Sequence, residues 1–61
     1  MPIIRVEMFP GRTADQKRAL AQELTDGFVR AGGGPGDQLH VVITEVEREN
    51  WGVGGKLMAN K

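Results

Sequence analysis

Residues 13–31 read TADQKRALAQELTDGFVRA and predict one amphipathic helix with a marked start and end, around which the other elements are arranged. Thr13 and Gln16 occupy the two positions of a capping box, in which each side chain accepts a hydrogen bond from the other residue's backbone amide. Residues 32–36, GGGPG, end the helix, because glycine adopts the left-handed terminal conformation and proline cannot continue the ladder. Apolar residues at helical spacing predict a stripe that covers a sheet: Leu20, Ala21, Leu24, Phe28 and Ala31.

A strand is predicted on each side of this helix. Residues 3–9, IIRVEMF, place alternate apolar side chains on one face, and the following Pro10 and Gly11 break the strand. Residues 39–46, LHVVITEV, carry β-branched residues on both faces, which is typical of an interior strand covered on both sides. The order strand, helix, strand implies a right-handed crossover and therefore parallel pairing.

The last part of the chain is too rich in glycine for a helix. Residues 48–56, RENWGVGGK, predict a turn or small hairpin, and residues 57–61 are left as a short tail. The predicted architecture is therefore α+β: a single domain, residues 1–61, with a parallel strand pair, one crossover helix and a short C-terminal hairpin.

Size and composition predict self-association. A lone chain of 6.6 kDa buries only about 60% of its unfolded surface, which is marginal for stability. Small domains compensate with disulfides, a structural metal or oligomerisation. The chain has no cysteine and one histidine, which excludes disulfides and a closed zinc site and leaves oligomerisation. A two-stranded sheet with one helix also leaves one face and both edges for other copies to cover.

The charge balance argues against nucleic-acid and membrane partners. Eight Lys and Arg residues against eight Asp and Glu residues give no excess of positive charge to attract a polyanion. No run approaches the eighteen or so apolar residues that span a bilayer, and the N-terminus lacks the pattern of a signal peptide. These features predict a soluble cytoplasmic protein.

Several reaction classes are excluded by missing residue types. The chain has no serine, no cysteine and a single histidine, so hydroxyl and thiol triads and histidine-pair metal sites are absent. The glycine-rich residues 52–55, GVGG, do not join a strand to a helix, so a tight hairpin explains them better than a phosphate loop.

Pro2 is a candidate general base. Removal of Met1 would expose the secondary amine of Pro2 as the true N-terminus. An ordinary α-amino group has a pKa near 8. An apolar pocket and nearby cations would lower that pKa toward neutrality, where the amine can accept a proton. The alternative interpretation is that Pro2 merely starts an edge strand.

Three further residues are candidates for substrate binding, and each also has a purely structural interpretation. Arg12 lies just before the helix, where a guanidinium can hold a carboxylate through two parallel hydrogen bonds, or simply face solvent. His40 opens the second strand and either donates a hydrogen bond to a substrate oxygen or lies at a surface or interface. Trp51, the only tryptophan, either walls a pocket or anchors a subunit contact.

Taken together, these features resemble the 4-oxalocrotonate tautomerase family, and the resemblance covers essentially the whole chain. Its most specific parts are the penultimate proline, the Gly-Arg-Thr turn and the aromatic-Gly-x-Gly-Gly turn near the end. The segments that carry it are Met1-Pro2-Ile3-Ile4, Gly11-Arg12-Thr13 before Asp15-Gln16-Lys17, Val42-Ile43-Thr44-Glu45, and Asn50-Trp51-Gly52-Val53-Gly54-Gly55.

The resemblance implies a β-α-β tautomerase fold that pairs into a four-stranded sheet dimer, with dimers assembling into a hexamer. It implies that Pro2 is the base that moves a proton along a 2-hydroxydienoate to give the unsaturated 2-oxo acid. Arg12 would bind a substrate carboxylate, and Trp51 stands where the family usually places an aromatic residue that keeps the pocket apolar. The resemblance implies no metal and no organic cofactor.

His40 departs from the family pattern, because the best characterised members carry an arginine at this strand position. Histidine lacks the fixed fork of a guanidinium and is only partly cationic near pH 7. A small oxo or enol monoacid is therefore implied as readily as the dicarboxylate 4-oxalocrotonate. Two other functions stay open: a hydratase or dehalogenase of unsaturated or halogenated acids with Pro2 as general acid, and a non-catalytic oligomeric ligand-binding protein if Met1 is retained.

Overall fold

The computed structural model describes residues 1–60 and confirms the β-α-β arrangement. Strand β1 (Ile3–Met8) leads into helix α1 (Ala14–Arg30), which returns to strand β2 (His40–Glu45). The two strands pair in parallel along their whole length, from Ile3 beside His40 to Met8 beside Glu45. Both strands are slightly shorter than predicted, and no helix in residues 1–60 is long and apolar enough to cross a membrane.

The predicted capping box is present at the start of α1. The backbone amide of Gln16 donates to the Thr13 hydroxyl at 3.1 Å, and the Thr13 amide donates to the Gln16 side chain at 2.9 Å. The helix ends where predicted, with Gly32 following in the left-handed region at φ 87°. Ala31 does not belong to the apolar stripe as predicted, because it is the exposed C-terminal cap and has left the helical turn that faces the sheet.

Helix α1 covers one face of the sheet. The side chains of Ile4, Val6 and Met8 on β1 and of Val41 and Ile43 on β2 are half-buried beneath it. The other surface, here called the open face, consists of Ile3, Arg5 and Glu7 on β1 and His40, Val42 and Thr44 on β2, all exposed. Within one chain a single helix covers only one face of the sheet, as predicted for a two-stranded sheet with one helix, and the covering of the other face of β2 stays a prediction.

A single chain does not form a hydrophobic core. None of the described residues is fully buried, and the accessible surface is 4605 Å², against about 3,900 Å² for a compact protein of this mass. The radius of gyration is 14.4 Å, whereas a compact chain of this length has about 10.5 Å. Ile3 and Val42 on the open face are 47% and 38% exposed. The fold therefore leaves apolar surface that only another molecule can cover.

The C-terminal segment forms the predicted hairpin. Strands β3 (Gly52–Val53) and β4 (Lys56–Leu57) pair in antiparallel fashion around Gly54 and Gly55. Both turn glycines have positive φ, 61° and 86°, as the tightest two-residue hairpin turn requires. The predicted tail is wrong at its start, because Leu57 belongs to β4 and Met58–Asn60 form a 3₁₀ turn. Its last residue, Lys61, lies outside the described residues.

Gly33 makes room for the ring of Phe28, and we expect substitution there to destabilise the fold. A Cβ atom on Gly33 would lie 2.5 Å from Cζ of Phe28, so Gly33→Ala forces this ring out of its place. We expect a loss of about 1–3 kcal/mol in the free energy of unfolding, measured by urea denaturation at one fixed protein concentration.

Gly27 provides the matched control for this substitution. It lies inside α1, and a Cβ there meets only the end of the Arg30 side chain at 3.7 Å. Gly27→Ala should therefore stabilise the protein by about 0.5–1 kcal/mol, because alanine loses less backbone entropy in a helix. Equal effects of the two substitutions would show that the Phe28 contact does not matter.

Candidate active site

Pro2 and His40 lie together at one end of the sheet. The backbone amide of His40 donates to the carbonyl of Pro2 at 3.0 Å, which continues the parallel ladder beyond Ile3. Pro2 is half-buried, whereas Met1 before it is 80% exposed. The imidazole of His40 belongs to the open face. The backbones of the base candidate and the histidine therefore meet at the amino-terminal end of the sheet.

Arg12 and Trp51 lie at the opposite end, on either side of Phe9. The Arg12 guanidinium donates from Nη1 to the carbonyl oxygen of Phe9 at 3.4 Å. The rings of Phe9 and Trp51 contact each other with centroids 4.6 Å apart and planes tilted by 57°. The Trp51 carbonyl accepts from the Met58 amide at 2.8 Å, so the hairpin holds this tryptophan in place.

One chain thus separates the predicted site residues into two groups. Pro2 precedes β1 and Phe9 follows it, so seven residues at about 3.3 Å each put roughly 23 Å between the two ends. Pro2 and His40 are joined through their backbones, and Arg12 and Trp51 each contact Phe9, but the two groups do not meet within a chain. A site that uses all four residues must combine the two ends from different chains.

The carboxyl-terminal end of the sheet contains two residues that sequence reasoning missed, Phe9 and Arg48. The guanidinium carbon of Arg48 lies 4.2 Å from the centroid of the Phe9 ring. Arg48 opens the 3₁₀ turn Arg48–Asn50, and its carbonyl accepts from the Trp51 amide at 3.2 Å. The spacing of three residues between Arg48 and Trp51 could have predicted that the two lie close together in one turn. The contact between Arg48 and Phe9 could not be predicted, because about forty residues of sequence separate them.

Two shallow grooves lie beside these side chains. Trp51 lines one of about 260 Å³, together with Glu7, Val46, Asn50 and Gly52. The other, of about 310 Å³, runs along the first half of α1 and is lined by Arg12, Gln16, Lys17, Ala19, Leu20 and Glu23. Arg12 and Trp51 therefore each line a surface where a small molecule or another chain can bind.

The charges near these grooves are distributed unevenly. In the described part of the chain the ion pairs are Lys17 with Glu45, at 3.1 Å, and Arg18 with Asp15. Within residues 1–60, neither Arg12 nor Arg48 has a carboxylate partner, so both guanidiniums are available to an external anion. The same residues contain no cluster of three His, Asp or Glu side chains arranged as a metal site.

The fold places this chain in a class of small β-α-β proteins that comparison with known sequences identifies. The family model described as "Tautomerase enzyme" matches residues 2–61, and the chain belongs to the tautomerase family. Within that family its relatives are homologues of 4-oxalocrotonate tautomerase, as the sequence resemblance indicated.

Similar proteins support this membership over the whole chain. A "Probable tautomerase" of Bacillus cereus (strain ATCC 14579) is 38% identical over 61 residues, which is 100% of both chains. One from Streptococcus pneumoniae serotype 4 is 46% identical over 46 residues, 75% of this chain and 77% of the relative. The crystal structure of a 4-oxalocrotonate tautomerase homologue in the tomaymycin biosynthetic pathway has a TM-score of 0.91 at 34% identity, covering 97% of this chain and 91% of that one.

Proposed function

We propose that this protein is a cofactor-independent keto-enol tautomerase that converts 2-hydroxydienoate-type or enol acids to unsaturated 2-oxo acids. The observation that carries the proposal is a penultimate proline, half-buried at a sheet end where its carbonyl accepts from the His40 amide, in a chain of the tautomerase family. Because Met1 is 80% exposed, an aminopeptidase can reach its peptide bond to Pro2. The bond from the His40 amide to the Pro2 carbonyl keeps the freed amine at the sheet end.

The proposed reaction needs one base and two groups that bind oxygen. The neutral amine of Pro2 takes the proton of the 2-hydroxyl group, and the resulting ammonium returns it to a carbon further along the conjugated chain. Arg12 holds the substrate carboxylate and stabilises the negative charge of the dienolate. His40 donates a hydrogen bond to the 2-oxygen, and Trp51 keeps water away from the amine.

The site is completed by a second copy through the free edges of β1. Antiparallel pairing that sets Arg5 opposite the partner subunit's Glu7 also sets Glu7 opposite the partner subunit's Arg5, with Val6 on the two-fold axis. Opposite charges stabilise such cross-strand pairs and like charges destabilise them. A shift by two residues sets Arg5 against the partner's Arg5 or Glu7 against the partner's Glu7. A shift by one residue pairs opposite faces of the two strands and is excluded by the apolar pattern.

This register brings the two halves of the site together. It places Pro2 directly opposite the partner subunit's Pro10, two residues from the partner subunit's Arg12 and next to the partner's Phe9. Pairing through the free edge of β2 lacks complementary charges and leaves Pro2 one strand further from the partner. The four-stranded sheet still has an uncovered open face, and we infer that three such pairs cover it in a hexamer. A related tautomerase from Chloroflexus aurantiacus J-10-fl (36% identity, 97% and 95% coverage, TM-score 0.87) is described as a heterohexamer.

Charge reversal tests the proposed register. We expect Arg5→Glu to raise the dimer dissociation constant at least about tenfold, because it turns two attractive cross-strand pairs into repulsive ones. The double variant Arg5→Glu with Glu7→Arg restores both pairs and should restore association. Sedimentation velocity over a range of concentrations measures both effects. A double variant as weakly associated as the single one would contradict this register.

The function itself is tested with 2-hydroxymuconate and phenylenolpyruvate as substrates. Purified protein whose intact mass shows loss of Met1 should ketonise at least one of them, followed by ultraviolet absorbance. Protein that retains Met1 should be inactive, because the nitrogen of Pro2 is then an amide without basicity. Release of halide from 3-haloacrylates without any ketonisation would favour the hydratase or dehalogenase alternative instead.

A further inference from the structure

Arg48 is a charged residue near the candidate site that the proposed reaction does not use. Its guanidinium carbon lies 4.2 Å from the centroid of the Phe9 ring, and the same ring contacts Trp51. A guanidinium over an aromatic face is held by the attraction of the ring quadrupole. The position of Arg48 is therefore fixed by the aromatic pair that also positions Trp51.

Two guanidiniums converge on Phe9 from different directions. Arg12 reaches the backbone carbonyl of Phe9 at 3.4 Å, and Arg48 lies over its ring. Glu47 and Glu49 flank Arg48 in the sequence, yet neither forms an ion pair with it among residues 1–60. An anion bound beside Phe9 would be attracted by both positive charges.

A guanidinium that stacks on an aromatic ring uses its flat face for that contact. Its N–H donors lie in the plane of the group and remain available for hydrogen bonds to an anion. Those donors form a planar fork that matches the two oxygens of a carboxylate, and less orientational freedom is lost when the fork is already held. At the opposite end of the sheet the candidate site residue among residues 1–60 is His40, which lacks the planar fork of a guanidinium. The permanent positive charge of the candidate site is therefore concentrated around Phe9.

We propose that Arg48 is a second carboxylate-reading residue, which acts together with Arg12 to bind the carboxylate of the substrate beside the Phe9–Trp51 pair. As a role in catalysis this rests on the proposed function, but the anion site does not require turnover. A binding residue remote from the proton transfer stabilises the ground state and the transition state equally. Its removal then raises KM and leaves kcat nearly unchanged.

Binding of fumarate, an unreactive dicarboxylate, tests the proposal without any chemistry. We expect Arg48→Ala to raise the dissociation constant of fumarate by about tenfold in isothermal titration calorimetry of the assembled protein. Arg48→Met covers the Phe9 ring without a charge and should lose as much affinity as alanine. Arg48→Lys should recover part of it, because lysine keeps the charge but lacks the fork. Arg18→Ala, which removes a cation paired with Asp15, should bind like the wild type.

Several outcomes would overturn the proposal. If Arg48→Ala binds fumarate with wild-type affinity, Arg48 does not bind the anion. If Arg48→Met binds fumarate with wild-type affinity, Arg48 only packs on Phe9. A wild-type protein that binds no fumarate would also overturn it. Failure of the proposed function looks different: fumarate binding would depend on Arg48 while the wild type turned over none of the enol acids.

Discussion

Replacement of Pro2 by alanine is expected to lower kcat/KM for ketonisation by at least about a hundredfold, because a positioned general base contributes 10²–10⁴-fold. Alanine also leaves an α-amine after removal of Met1, but that amine rotates freely. In proline the ring prevents rotation about the N–Cα bond and so fixes the direction of the nitrogen lone pair, while the His40 amide holds the Pro2 carbonyl at 3.0 Å. Steady-state absorbance assays on 2-hydroxymuconate and phenylenolpyruvate measure the effect.

The control for Pro2→Ala is a comparison of the processing and assembly of the variant with those of the wild type. Intact mass must show that Met1 is removed from both proteins, and sedimentation must show the same assembly. Neighbouring Ile3, on the open face, should tolerate Ile3→Val with little loss of activity because the strand and its apolar character are kept. Activity of Pro2→Ala equal to that of the wild type would rule out Pro2 as the base.

Arg12→Ala is expected to lower kcat/KM by about 10²–10³-fold, because truncating one partner of a close charge pair costs about 2–5 kcal/mol. Little of this should come from unfolding. Arg12 is exposed, has no carboxylate partner among residues 1–60, and its side-chain hydrogen bond to Phe9 is long. Arg12→Lys should fall between alanine and the wild type, because a point charge cannot replace the planar fork.

Mixing the two inactive variants tests whether the site is shared between chains. If Pro2 and Arg12 act from different subunits, a hybrid of Pro2→Ala and Arg12→Ala chains contains one site with both defects and one intact site. Random exchange makes half of the pairs hybrid, so about a quarter of wild-type activity should return. Arg18→Ala is the matched cation control and should stay within about twofold of the wild type. No recovery after verified subunit exchange would contradict the shared site.

The fold was predictable because its signals are local. The capping box of Thr13 and Gln16 needs only four consecutive residues, and the positive-φ glycines that follow α1 and close the hairpin are marked by composition alone. The parallel pair follows from the order of elements, since a crossover helix permits no other pairing for neighbouring strands. Predictions failed at element ends, such as Ala31 and Leu57, where one turn of backbone decides whether a residue joins an element.

The candidate site was predictable only in part. Pro2, Arg12, His40 and Trp51 stood out through residue chemistry and family resemblance, but neither source shows which of them are neighbours. Their grouping depends on the length and direction of β1 and on how the hairpin packs. The open face itself was predictable, because a two-stranded sheet with one helix leaves one face uncovered, but the sequence does not show which molecule covers it.

The sequence alone specifies the β-α-β unit and the hairpin, because hydrophobic period and capping act through near neighbours in the chain. Only the tertiary structure decided that Pro2 with His40 and Arg12 with Trp51 lie at opposite ends of one strand. It also decided that Arg48 lies over Phe9. The reason is physical: two parallel strands direct both amino ends one way, and contacts between segments forty residues apart exist only after the hairpin has packed against the end of β1.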